Sequence, residues 1–122
     1  MAYETSEFWQ NSEVLLLYNT TMLSTRDARI ARKVKSRLSE ITSVKRLVVY
    51  GSRARGKPTR YSDLDLYIEL RTKVNSALRR KIREVAWEVS LDSGVVITTL
   101  VGGERLKGQP ILKAIKAEGI AV

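Results

Sequence analysis

The spacing of apolar side chains predicts three helices. Within residues 25–43 and again within residues 73–91, apolar side chains recur every three or four positions, as they do on the buried face of a helix. The predicted core positions are Ile30, Val34, Leu38 and Ile41 in the first helix and Ala77, Leu78, Ile82, Val85, Ala86 and Val89 in the second. A shorter helix is predicted over Pro110–Glu118, and Gly119 closes it.

Three short runs rich in β-branched residues alternate with these helices. They predict strands over residues 46–50, 63–70 and 95–101. In the second run apolar and polar side chains alternate, which indicates a strand with one buried face. The order of elements predicts an α/β (α+β) fold, in which a small mixed β-sheet is packed with helices in one domain.

Residues 1–24 form a separate N-terminal segment before a domain predicted over residues 25–122. The segment is apolar at Phe8, Trp9 and the leucines of residues 15–17. Such side chains either pack against the domain's own sheet or dock on a partner protein. The sequence leaves both roles open.

Composition narrows the chemistry that the chain can perform. There is no cysteine and no histidine, which excludes disulfides, thiolate and imidazole metal ligands, and catalysis by those side chains. A bound metal must take oxygen ligands, which favours Mg²⁺ or Mn²⁺. The formal net charge of +9 favours phosphate ligands, nucleic acid or an acidic partner.

No apolar run is long enough to cross a membrane. The first ten residues carry acids before any apolar stretch, unlike a secretory signal. The expected location is therefore the cytoplasm.

The stretch GSRARGKPT, residues 51–59, is close to a phosphate-binding P-loop. Gly51, Gly56 and Lys57 match that motif, but Pro58 stands where a Ser or Thr must hold Mg²⁺. Proline offers neither a hydroxyl nor a backbone N–H. A strand also follows, where a P-loop leads into a helix, so the P-loop interpretation is rejected.

A second pattern is intact: Gly51-Ser52, then ten residues, then Asp63-Leu64-Asp65. A glycine after a buried strand permits a tight turn and the close approach of a phosphate, and Ser52 adds a hydroxyl there. Asp63 and Asp65 are two apart on a strand, so their carboxylates point to the same face. Two carboxylates in this arrangement can hold one or two Mg²⁺ ions that bridge the phosphates of a nucleotide.

This pattern resembles the nucleotidyltransferase superfamily of DNA polymerase β, and more narrowly the minimal nucleotidyltransferases often encoded beside HEPN proteins. The resemblance spans about residues 28–122. Its matching residues are Gly51, Ser52, Arg53, Ala54, Arg55, Gly56, Ser62, Asp63, Asp65 and Leu66. It implies that Asp63 and Asp65 are catalytic and bind Mg²⁺ (or Mn²⁺), with ATP as substrate. It also implies nucleotide binding by Gly51, Ser52, Arg53, Arg55 and Ser62.

Other roles remain open for several of these residues. Ser52 is also a suitable helix cap, and the two aspartates are compatible with a polar strand face. The basic residues of the loop suit either phosphate binding or charge balance for the aspartates; they are Arg53, Arg55, Lys57 and Arg60.

One expected residue is missing. Members of the family usually carry a third carboxylate on the neighbouring strand, and here it should fall near Val96. No acid lies between residues 95 and 101, and Glu69, Asp92 and Glu104 do not have the expected position. General-base help contributes about 10²–10⁴-fold, so its loss predicts slow transfer or an inactive protein.

The resemblance implies an antitoxin that transfers AMP from ATP to a hydroxyl of a HEPN-type ribonuclease toxin. An alternative is an inactive antitoxin that acts by binding the toxin. A third hypothesis, a nucleic-acid-binding module using Arg29, Arg32 and Lys33, leaves the two aspartates unexplained. The sequence does not determine the oligomeric state.

Overall fold

A computed structural model describes residues 23–59 and 61–122 of the protein. The elements are α1 (Thr25–Ser39), β1 (Val44–Tyr50), β2 (Leu64–Leu70), α2 (Ser76–Ser93), β3 (Ile97–Val101), a short 3-10 helix (Glu104–Leu106), α3 (Pro110–Glu118) and β4 (Ile120–Ala121). The predicted N-terminal segment lies outside the described residues, except for Leu23, which is buried, and Ser24. In this part of the chain, no helix is both long and apolar enough to cross a membrane.

The strands form one mixed sheet in the order β3-β2-β1-β4. Strand β1 pairs antiparallel with β2 and with β4, whereas β2 pairs parallel with β3. Parallel neighbours need a crossover connection, and α2 supplies it between β2 and β3. The arrangement confirms the predicted α/β (α+β) fold with a small mixed sheet.

The main core lies between the sheet and helices α1 and α2. The apolar residues of β2 that alternate along the strand, Leu64, Leu66 and Ile68, are fully buried in it. Val34 and Leu38 of α1 are equally inaccessible. A smaller apolar cluster, Val48, Tyr67, Ile115 and Ala121, lies on the opposite face beside α3. The two clusters fix which way each side chain of β2 points.

Helix α1 ends at Ser39, four residues before the predicted end. The amides of Ile41 and Thr42 both donate to the carbonyl of Leu38, so the chain closes in a tight turn. Ile41 was predicted to be a core position, but it is 42% exposed. The shorter helix leaves room for β1 to begin at Val44, before the predicted residue 46.

Helix α2 begins at Ser76, later than the predicted residue 73. The Asn75 side chain accepts a hydrogen bond from the Leu78 amide at 2.8 Å and caps the helix. Ala77 is therefore in the first turn and is exposed, contrary to its prediction as a core residue. The helix stops at Gly94, whose φ of 74° is the left-handed geometry expected of a glycine cap.

Strand β4 was missed by the sequence pattern because two apolar residues are too short a run to predict a strand. Val49 pairs with Ile120, and Val48 pairs with Ala121. Gly119 allows this approach, because a Cβ there would overlap the Val48 side chain and the Ile115 carbonyl. The amide of Val122 extends the pairing by donating to the Leu47 carbonyl at 3.0 Å.

Candidate functional site

The loop between β1 and β2 begins with a tight turn at Gly51. Gly51 has a φ of +79°, which disfavours any side chain at this position. Its carbonyl accepts from the Arg55 amide at 3.1 Å, and the Ser52 carbonyl accepts from the Lys57 amide at 3.0 Å. The next regular element after the loop is the strand β2, not a helix, so the structure also contradicts a P-loop.

Asp65 lies directly against this turn. It is paired with Tyr50 across the antiparallel neighbour and with Thr98 across the parallel one. The Thr98 hydroxyl donates to Asp65 Oδ1 at 2.6 Å. A Cβ at residue 51 would overlap the other carboxylate oxygen, Oδ2. The absence of a side chain at Gly51 therefore leaves the space that the Asp65 carboxylate occupies.

Burial and the nearby Asp65 carboxylate raise the pKa of Tyr50 above its ordinary value, and burial is the larger cause. The Tyr50 side chain is half-buried. Its phenolate form would be poorly hydrated there, and the negative charge of Asp65 would repel it. Tyr50 therefore stays neutral at physiological pH next to a negative group.

Asp63 immediately precedes β2 and is half-exposed. The intervening Leu64 is fully buried in the helix-covered core, so Asp63 and Asp65 both face the opposite side of the sheet. Two residues along a strand separate their Cα atoms by about 6.5–7 Å. Within residues 23–59 and 61–122, no ion pair or side-chain hydrogen bond engages Asp63.

The two predicted serines have different surroundings. Ser52 is half-buried directly after Gly51, at the turn that contacts Asp65. The Ser62 hydroxyl accepts a hydrogen bond from the Thr59 amide at 2.8 Å and lies 3.1 Å from the Thr59 hydroxyl. These contacts join Ser62 to Thr59, so the end of the loop forms a tight turn just before Asp63.

Arg53 is held by the protein itself. One terminal nitrogen contacts both carboxylate oxygens of Asp27, at 3.0 and 3.1 Å, and Nε and the other terminal nitrogen donate to the Ser62 carbonyl at 3.0 and 2.8 Å. The exposed fractions are 12% for the Arg53 side chain and 2% for that of Asp27. The guanidinium therefore connects Asp27 of α1 to Ser62, the residue before Asp63, and holds the loop in place. We call Arg53 with these contacts the Arg53 strut.

The sequence did not reveal Asp27 as part of this arrangement. An acid in the first turn of a helix is common because it favours the helix dipole, and nothing in the local pattern distinguishes this one. Asp27 is the buried charged residue of the described chain, and only the fold brings it to Arg53.

The other cations of the loop are dispersed. Arg55 is paired with Glu118 of α3 at 2.9 Å. Lys57 is exposed, and Arg60 lies outside the described residues. Arg29, Arg32 and Lys33 lie on the solvent side of α1, away from this loop in the chain.

The strand register shows where a third carboxylate would lie. Leu64 is opposite Ile97, so Val96 lies beside Asp63, with its side chain 62% exposed. Of the flanking acids, Asp92 is paired with Lys33 at 3.6 Å and Glu69 with Arg46 at 2.6 Å. Among the described residues, no three acids are clustered in a way that could hold a metal ion.

The donor set nevertheless suits Mg²⁺ accompanied by a nucleotide. Mg²⁺ is commonly held by one or two carboxylates, with water and phosphate oxygens completing its shell. Asp63 and Asp65 supply two carboxylates on one face, and the Asp65 Oδ2 atom lies in the space that a side chain at residue 51 would fill.

Comparison with solved structures shows a shared fold. One similar chain comes from a toxin–antitoxin crystal structure with AMP-PNP; it is 16% identical, with a TM-score of 0.57, covering 75% of this chain and 70% of that one. Another comes from a crystal structure of a mutant of the toxin–antitoxin MntA-HpeT; it is 13% identical, with a TM-score of 0.59, covering 78% and 70%.

None of the curated proteins compared with the chain matches it. The model of the nucleotidyltransferase domain family matches residues 29–119. That range includes the Gly51 turn, both aspartates and every strand except β4. The chain therefore belongs to the nucleotidyltransferase domain family.

Proposed function

We propose that the protein is a Mg²⁺-dependent nucleotidyltransferase that transfers AMP from ATP to a hydroxyl of a partner protein. One observation carries the proposal: the Gly51 turn, the Asp65 carboxylate and the same-face Asp63 form one constellation. A turn without a side chain beside two carboxylates suits a metal-bound triphosphate better than it suits a purely structural strand end.

Each residue has a distinct role in this proposal. Asp63 and Asp65 hold the metal, and Gly51 and Ser52 receive the β- and γ-phosphates. Bound there, Mg²⁺ would neutralise charge on the phosphates. Thr98 fixes the Asp65 carboxylate through its 2.6 Å hydrogen bond. Arg53 and Ser62 act as positioning residues, because their polar groups hold the loop together.

In the reaction, the acceptor hydroxyl oxygen bonds to the α-phosphorus of ATP. The bond from that phosphorus to the bridging oxygen breaks, and pyrophosphate leaves. The hydroxyl proton must go to a base. Val96 occupies the position beside Asp63 where an acid would serve, so we assign this role to the acceptor protein or to solvent.

We further infer that the acceptor is a HEPN-type toxin and that the chain is its antitoxin. The similarity to chains from toxin–antitoxin crystal structures supports a toxin as the partner. The HEPN type of that toxin rests on the resemblance to minimal nucleotidyltransferases. The chain's net positive charge of +9 suits an acidic partner surface.

The test is transfer of label from α-labelled ATP to the toxin encoded beside the protein's gene. With Mg²⁺ we expect a labelled toxin, and with Asp63→Asn and Asp65→Asn combined we expect at least about a hundredfold loss, as for removal of a principal electrostatic group. Glu40→Gln with Glu84→Gln is a control of equal charge change, since both acids are exposed and lie outside the site. Full labelling by the aspartate variant would refute the assignment.

A second candidate is an antitoxin that acts by binding alone. The specific observation in its favour is Val96, which leaves two acids where the family usually has three. It predicts complex formation and inhibition of the toxin without ATP, unchanged by the double aspartate substitution. The same purified proteins therefore distinguish the two candidates.

A further inference from the structure

A second polar site lies at the other end of β2. A cavity of about 720 Å³ opens where β2 and β3 finish, between α2 and the short 3-10 helix. The charged side chains described in its lining are four cations, Lys73, Arg79, Arg83 and Arg105, and one acid, Glu69. From Asp65 to Glu69 the strand advances by about 13 Å, so the cavity is separate from the aspartates.

The cations of this cavity are not used in ion pairs with the described part of the chain. No salt bridge joins Lys73, Arg79, Arg83 or Arg105 to an acid there. The one acid is already neutralised, since Glu69 is paired with Arg46 at 2.6 Å across β2 and β1. Among the described side chains, the cavity therefore presents four cations and no unpaired acid.

The remaining walls are partly apolar. Leu70, Leu100 and Leu106 line the cavity alongside the cations. Gly102 also lines the cavity, and a Cβ there would approach the Tyr67 hydroxyl to 2.6 Å. Sites for small molecules commonly enclose about 300–1,000 Å³ and combine apolar walls with a few polar groups.

We propose that this cavity binds a nucleotide-sized organic phosphate, with the phosphates on Arg79, Arg83, Lys73 and Arg105 and its apolar part against the leucines. Guanidinium groups match phosphate geometry with paired hydrogen bonds. A nucleotide fits better than free phosphate, because phosphate alone would leave the leucine wall unused. Among the described side chains of the lining, the one acid is already paired with Arg46, so the proposal assigns no metal to this site.

The test is calorimetric titration of the full chain with ADP in the presence of EDTA. We expect binding that the Asp63→Asn, Asp65→Asn variant retains and that Arg79→Gln with Arg83→Gln weakens at least about tenfold, given the strength of hydrogen bonds to charged groups. Arg29→Gln with Arg32→Gln is the charge-matched control, because both arginines are exposed on α1 and absent from the cavity lining. Equal weakening by the control would reduce the effect to general charge attraction and overturn the site.

Two further measurements keep the result interpretable. Lys73→Gln with Arg105→Gln removes two cavity cations that lie outside α2, and it should also weaken the binding of ADP. If the α2 variant fails to fold, this second variant still tests the site. Pyrophosphate should bind more weakly than ADP, and equal affinity would overturn the nucleotide assignment. Tighter binding of a single-stranded RNA, lost in the same variants, would replace the small molecule by a nucleic acid and refute the proposal.

Discussion

The two ends of β2 differ in whether their neighbouring arginines are paired with acids. At the Asp63 end, Arg53 and Arg55 are occupied by Asp27 and Glu118. At the Glu69 end, Glu69 is paired with Arg46. Arg79 and Arg83 line the cavity there, without an acidic partner among the described residues. The described cations of the cavity are therefore unpaired, whereas two arginines of the loop before the aspartates are paired. A basic residue close in sequence to a carboxylate is not thereby available to a phosphate.

Removing the Arg53 strut should have the largest effect on the aspartate end. Arg53→Met leaves the Asp27 carboxylate, 2% exposed, without its counter-charge, and we expect a loss of about 3–5 kcal/mol in the free energy of unfolding. Urea unfolding followed by circular dichroism measures this loss. Arg55→Met is the matched control from the same loop. Its pair with Glu118 is partly exposed, so we expect about 0–1 kcal/mol.

Adding Asp27→Asn to Arg53→Met should restore part of the loss, because the buried charge is then removed. If Arg53→Met and Arg55→Met cost the same, the distinction between a buried strut and a surface pair would fail.

Adding an acid at residue 96, where the family usually has its third carboxylate, should increase transfer at the aspartate end of β2. Val96→Asp places a third carboxylate beside Asp63 in the strand register, and we expect transfer to rise by about 10²-fold, the lower end of general-base assistance. Single-turnover transfer of labelled AMP measures the change. Val96→Asn has the same shape without the base, and a similar gain in that variant would contradict the explanation.

A pair of glycines tests whether the close approach at Gly51 positions Asp65. Gly51 and Gly108 have nearly equal φ values, +79° and +78°, but only at Gly51 would a Cβ overlap a carboxylate; nothing lies within 4 Å of one at Gly108. Alanine in left-handed geometry costs about 1–2 kcal/mol at either position. Gly51→Ala should additionally displace Asp65 and abolish transfer, whereas Gly108→Ala should keep it. Loss of transfer in both would remove the special role of Gly51.

The smallest expected effects are pKa shifts of two tyrosines, Tyr50 near Asp65 and Tyr67 near Glu69. Besides burial, which is the larger cause, Asp65 raises the pKa of Tyr50 and Glu69 raises that of Tyr67. We expect Asp65→Asn to lower only the pKa of Tyr50 and Glu69→Gln only that of Tyr67, each staying above its ordinary value because burial remains. Phenolate absorbance against pH measures the shifts, and Tyr50→Phe and Tyr67→Phe assign them. A shift of the wrong tyrosine would show that the ends are not independent.

These phenols also set a direction for stability at high pH. The folded state prefers both in the neutral form, so their contribution to stability is complete below the ordinary tyrosine pKa. It is lost as the pH rises through their raised folded-state pKa values.

The sequence predicted the features that depend on local pattern. The alternation of Leu64, Leu66 and Ile68 correctly indicated the buried face of β2, and thereby the shared face of the aspartates. Long-range partners were not predictable in this way. Nothing near Arg53 in the chain points to Asp27, and β4 exists only because Gly119 lets two residues reach β1. The cavity, too, combines residues from three separate stretches of the chain, which bring together β2, α2, β3 and the short 3-10 helix.

The two-residue strand β4 has a consequence for how the molecule assembles. Its partners Val48 and Val49 lie far earlier in the chain, so this pairing closes a much longer loop than the β1–β2 pairing does. Pairing between distant residues is slow, because the entropy of closing the long loop must be overcome first. We therefore expect β1 to be flanked on both sides, just before the Gly51 turn, only when folding is nearly complete. Under the proposed function, a nascent or partly unfolded chain would then bind ATP poorly, and transfer would be restricted to fully folded molecules.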